Sequence, residues 1–180
     1  MRCATDSEIS DWLEERSLVK DPYRGGSSPD FYLQFYVPTK HRCLDFFTRD
    51  YYLGIIPESE SLIHMTDWPL YQPSEMMAVT GIRSSQGDDR LLINAPGHCL
   101  TPEEMEIGVA LFSLSASFEW NAYLYSPVHR STLYNWEGEI FDFWTDSETA
   151  FTKMKLILER FELPETLEGH SLSQIHGRRK

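Results

Sequence analysis

Residues 101–145 read TPEEMEIGVALFSLSASFEWNAYLYSPVHRSTLYNWEGEIFDFWT, and this stretch decides the fold. Thr101-Pro102-Glu103-Glu104 is a capping box with proline at the first helical position. The threonine hydroxyl accepts a free backbone N–H, and Glu104 reaches back to the N-cap. Ile107, Val109, Leu111, Phe112, Leu114 and Phe118 follow, with Gly108, Ser113, Ser115, Ala116 and Ser117 set among them. A helix that is apolar on nearly every side, with small residues where a neighbour comes close, is a buried helix. Residues 120–125 and 139–144 then show β-rich composition and period-2 alternation. Residues 131–136 run back between them, and Glu137-Gly138 makes a bend or bulge. The stretch is a core helix feeding an antiparallel meander.

Working outward, the same signals recur. Thr5-Asp6-Ser7-Glu8 is a second capping box, opening a short helix with Ile9, Trp12 and Leu13 on one face. Residues 20–30 carry Pro22, Gly25, Gly26 and Pro29 and read as a loop. Gly25-Gly26-Ser27-Ser28 lacks the Lys-Ser/Thr and following helix of a phosphate-binding loop. Strands are predicted at 31–37, 61–66 and 90–95, and helices at 38–52 and 74–83. The loop between the second strand and its helix, residues 67–73, is stiffened by Pro69 and Pro73. Thr145-Asp146-Ser147-Glu148 is a third capping box, before a helix with Ala150, Phe151, Met154, Ile157, Leu158 and Phe161 at helical spacing. Pro164 ends it. The expected architecture is α/β, of mixed α+β type. Residues 1–164 form one domain, a mixed sheet of about five to six strands covered by helices, and 165–180 form a flexible polar tail. Strands separated by helices imply early parallel pairings.

With 180 residues, 41% of them hydrophobic, the chain has the length and composition for a substantial core. It lacks an apolar segment long enough to span a bilayer, and its N-terminus lacks an apolar signal core. Both point to a cytoplasmic protein. Cys3, Cys43 and Cys99 are an odd, scattered set, which argues against a disulfide framework or a zinc site. The net charge of −12 is concentrated in the body, because the last three residues are basic. Such a body repels phosphate backbones, attracts basic partners and disfavours nucleic-acid binding.

Candidate chemistry is sparse. His98-Cys99 suggests a base and a nucleophile, but adjacent residues of an extended segment point to opposite sides. His41 with Asp45, or His64, His98 and His129, fall short of a metal-ligand pattern. Sequence motifs imply neither a metal nor a cofactor. Glu103, Glu104 and Glu106 are explained by the helix dipole. Glu137, Glu139, Asp142 and Asp146 cluster along the meander with Trp136 and Trp144, as if on one outward face. Aromatic residues ringed by acids suit a basic protein partner, the rings as anchors and the charges speeding encounter. The expected partner surface is Trp68, Tyr71, Trp136, Glu137, Glu139, Asp142 and Trp144. The alternative is a small hydrolase using Cys99, with His98, or a carboxylate pair.

Trp68 with Pro73-Ser74-Glu75, Ala95-Pro96-Gly97-His98, and Trp120-Asn121-Ala122 with Glu139-Ile140 together resemble a group of small uncharacterised bacterial proteins. The resemblance covers about the last two-thirds of the domain, with an acidic residue where Asn121 stands here. It implies a compact α/β domain and no particular chemistry. Size, acidity and layout are also similar to bacterial immunity proteins, a fold-level likeness.

Overall fold

The computed structural model describes residues 1–24, 29–38, 43–68 and 71–166. In chain order the elements are β1 (Arg2–Ala4), α1 (Asp6–Glu15), β2 (Phe31–Tyr36), α2 (Cys43–Ile55), β3 (Ser61–Asp67) and α3 (Pro73–Ser85). β4 (Gly97–Leu100), a 3-10 turn (Pro102–Glu104) and α4 (Met105–Ser117) come next. They are followed by β5 (Asn121–Ser126), β6 (Ser131–Trp136), β7 (Ile140–Thr145) and α5 (Glu148–Arg160). The described strands form one sheet in the order β1-β4-β3-β5-β6-β7-β2.

The fold is the expected single α+β domain, with one strand more than the upper expectation. Two features differ from the sequence reading. Every pairing is antiparallel, including those between strands separated by helices. Only β3 to β4 and the β5-β6-β7 meander return directly to a neighbour; the connections from β1 to β2, β2 to β3 and β4 to β5 pass over intervening strands, and each strand they deliver pairs with oppositely running neighbours. The expected strand at 90–95 is a turn in which Leu91 and Ile93 are exposed. The short strand after it, β4, pairs with both β1 and β3.

The organising helix behaves as its composition dictates. Thr101 N–H donates to Glu104 Oε2 at 2.9 Å, and the capping box is complete around the 3-10 first turn. Gly108 lets α2 approach, since a Cβ there would lie 2.2 Å from the Tyr52 hydroxyl. Across the sheet, Leu33, Phe35, Ile63, Leu124, Leu133, Phe141 and Phe143 meet the buried residues of α2, α4 and α5 in one core. The opposite sheet face is covered as well. Ile9, Trp12 and Leu13 of α1, with Leu18, pack on Leu62, Tyr123, Tyr125, Tyr134 and Trp144. The third capping box is displaced: Thr145 is the last residue of β7, and Ser147 caps α5 by accepting from Ala150 N.

The expected tail begins with ordered contacts. Thr166 N–H donates to Gln34 O at 2.8 Å, and Glu165 bridges Phe35 on the edge of β2. Residues 167–180 lie outside those described, as do 25–28 within the expected 20–30 loop, 39–42 at the expected start of the second helix, and Pro69 and Leu70 within the expected 67–73 loop.

Candidate functional site

One end of the sheet gathers acids and aromatic rings. There β3 ends in Asp67, followed by Trp68, and Asp67 pairs in register with Asn121 at the start of β5. The turn between β6 and β7 contributes Glu137 and Glu139. Glu119, just past α4, packs against that turn: a Cβ on Gly138 would meet Glu119 Cα at 3.4 Å and Ala116 O at 2.3 Å. Only glycine, at φ +67°, fits this contact. Asp67, Glu119, Glu137 and Glu139 are all exposed and make no ion pair among the described residues.

Buried amides fix this end. Asn135 Nδ2 donates to Trp120 O at 2.6 Å, and its Oδ1 accepts Gly138 N–H at 3.1 Å. Asn121 Oδ1 accepts Glu137 N–H. The acids are therefore mounted on a braced turn instead of a loose loop. Trp68 and Trp136 are half-buried; Trp68 lies with its ring 6.3 Å from buried Trp120. Tyr71, before α3, and Tyr36, at the end of β2, are exposed.

Glu119, Glu137 and Glu162 hold left-handed backbone positions, as do Ser17, Glu58 and Arg130 elsewhere among the described residues. Phe118 caps α4, Glu119 N–H donates to Ala116 O, and Trp120 N–H donates to Ser115 O, a Schellman turn with Glu119 in the left-handed position at φ +58°. Past α5, Glu162 stands in the same place at φ +55°, with Glu162 N–H on Glu159 O and Leu163 N–H on Leu158 O. Glu137 is left-handed too, at φ +51°. Glycine or asparagine costs less in that conformation. At the corresponding turn after α3 the residue is Gly87.

Asp142 and Trp144 are not on this surface. The sequence reading took their alternation as an outward face, but α1 and the segment after it cover that side of the sheet. Asp142 is fully buried and accepts hydrogen bonds from the Tyr23 hydroxyl, from Tyr32 Oη at 2.6 Å and from Gln34 Nε2 at 2.8 Å. Trp144 is buried between Tyr23 and Tyr32. Asp146 pairs with Arg130 at 3.0 Å, near the opposite end of β7. The structure thus places Trp68, Trp136, Glu137 and Glu139 of the expected set at one end of the sheet, with Trp68 packed on the helix-side core and Trp136 on the opposite face; it leaves Tyr71 exposed nearby in sequence and removes Asp142 and Trp144.

His98 and Cys99 fall on opposite faces of β4. His98 is buried on the helix side, 3.5 Å from Arg83 Nη1; burial, then the Arg83 charge, push its pKa down to about 3. Burial pushes the Cys99 thiol up. A neutral imidazole beside a protonated thiol on the other side of the sheet is the reverse of an activated pair. Among the described residues no three His, Cys, Asp or Glu side chains are placed to hold a metal. His41, half of the helical His41–Asp45 pair, lies outside them.

Sequence reasoning missed Asp67, Glu119 and Glu162. The legible signal for Glu119 and Glu162 is an acidic residue just past the apolar periodicity of α4 and α5, where glycine is usual; Asp67, at the end of a strand, leaves none. No family model, no curated protein and no solved structure matches the chain. Among the described residues no helix is long and apolar enough to cross a membrane.

Proposed function

We propose that the protein is a non-catalytic, cytoplasmic binding domain for a basic protein, of immunity or inhibitor type, and that the acidic end of the sheet is its recognition surface. One observation carries the reading: Asp67, Glu119, Glu137 and Glu139 share that end without an ion pair among the described residues, with half-buried Trp68 on one face of the sheet there and half-buried Trp136 on the other. Like charges held together repel one another in the free domain, and a cationic partner relieves that repulsion. Half-buried indoles provide apolar anchoring at small entropic cost. The free thiols Cys3, Cys43 and Cys99 suit a reducing compartment. The likeness in size and layout to bacterial immunity proteins supports the inhibitor version.

The test is affinity capture from the source cell at about 50 mM and about 500 mM salt, where screening lengths differ several-fold. The wild-type chain retains a basic protein at low salt and releases it at high salt. A Glu119→Lys, Glu137→Lys, Glu139→Lys variant with an unchanged melting curve retains none. Equal capture by both forms would contradict the proposal.

A further inference from the structure

Beside the acidic end lies a groove of about 570 Å³, walled by the end of β2, the β6–β7 turn and the residues following α5. Val37, Pro38, Phe161 and Leu163 give it an apolar floor. Among the described residues its charged members are Glu139 and Glu162, both exposed and without an ion pair. Glu162 holds a left-handed backbone position at φ +55° in the turn that follows α5. Gly138 and Glu139 belong to both the groove and the acidic end, which makes the two surfaces continuous.

The geometry points to this groove as the anchor site for a partner segment in which apolar side chains are flanked by lysine or arginine. The floor desolvates the apolar anchor, and Glu139 and Glu162 meet the flanking cations, so specificity requires both features in one segment. A purely basic surface would engage the acids alone, and a purely apolar one would leave the two carboxylates facing apolar surface unpaired. This inference rests on the proposed binding role, and it assigns the groove as the place where the partner is gripped.

The probe is a fluorescein-labelled short peptide with Leu-Phe flanked by Lys-Arg pairs. One control replaces Leu-Phe by Ser-Ser, the other Lys-Arg by Glu-Glu. Anisotropy with the full chain is expected to show binding of the first peptide and about ten-fold or greater weakening for each control. Glu139→Gln with Glu162→Gln weakens the first peptide by a similar factor. Cys43 lines the groove, so its alkylation slows several-fold with peptide bound, whereas Cys99, on β4 across the sheet, reacts unchanged. Equal binding of the Ser-Ser peptide, or unaltered alkylation of Cys43, overturns the groove assignment. Glu119→Lys with Glu137→Lys separates the two claims. If the wild-type chain binds the peptide without slowing Cys43 alkylation and that pair abolishes the binding, the acidic end stands and the groove falls; if the wild-type chain binds no peptide, both fall.

Discussion

The side-chain oxygen of Asn121 accepts the backbone N–H of Glu137 at 2.9 Å, across a gap of sixteen residues. Asn121 is nearly buried, so this bond fixes the acidic turn with little help from water. Asn121→Ala leaves that N–H without its partner and is expected to cost about 1–3 kcal/mol. Asn121→Asp keeps an acceptor at the same place and adds another acid to the same end. The expected result is a lower urea midpoint and faster Glu137 amide exchange for the alanine variant, with exchange near wild type for the aspartate. Unchanged exchange in the alanine variant would remove the brace from the account.

Glu119 and Glu162 pay for their backbone conformation. Glu119→Gly and Glu162→Gly are each expected to raise stability by about 0.5–1 kcal/mol, the relief of left-handed strain less the extra freedom of glycine when unfolded. Both are expected to weaken basic-peptide binding. Thermal melts and anisotropy on the same samples make the comparison. A variant that gains stability and keeps full affinity would show that the carboxylate has no binding role.

Asp142 belongs to the interior. Asp142→Ala leaves the Tyr23, Tyr32 and Gln34 donors without their carboxylate. The expected loss is about 2–4 kcal/mol, a fall in Tm of roughly 5–15 °C for a domain of this size. Below the melting range the variant is expected to bind a basic partner as wild type does. Its stability falls and its affinity does not, the opposite of what Glu137→Lys does.

Acid weakens the fold through two histidines. Burial, then the Lys20 charge, hold the His64 pKa down to about 4 against 6.5 for the free side chain, and His98 is lower still, at about 3. Below pH 6.5 the unfolded chain binds protons that the folded one refuses. Stability therefore falls as pH drops from about 6.5 towards the folded values, by up to about 1.4 kcal/mol per pH unit for each histidine. His64→Gln removes one proton from that slope between pH 6 and about 4.5. An unchanged slope, from urea titrations across that range, would contradict the assignment.

Much of the fold was legible because local chemistry and tertiary packing agreed. The Thr101 box, the small residues facing α2 and the strand character of β5 to β7 each had one physical reading, although which face of those strands is covered did not. Leu91, Leu92 and Ile93 misled because a short apolar run bounded by polar residues reads as a strand, whereas here it forms a turn in which only Leu92 of the three is buried. β1 and β4 are three and four residues long, too short to leave a pattern. Asp142 misled for a related reason: polar alternation implies an outward face only where the second side of the sheet is uncovered, and here Tyr23, far away in sequence, reaches it. The acidic end was half visible. Glu137 and Glu139 stand out in the chain, whereas Asp67 and Glu119 join them only through strand register and a helix-end turn.

The most direct measurement is the salt dependence of association between the purified full chain and a basic partner or the Leu-Phe/Lys-Arg peptide, for wild type and for the Glu119→Lys, Glu137→Lys, Glu139→Lys variant. The account predicts tight binding that weakens steeply from about 50 mM to about 500 mM salt for wild type, and no measurable binding for the folded variant. Binding of equal strength by the two proteins, or wild-type binding indifferent to salt, would contradict it.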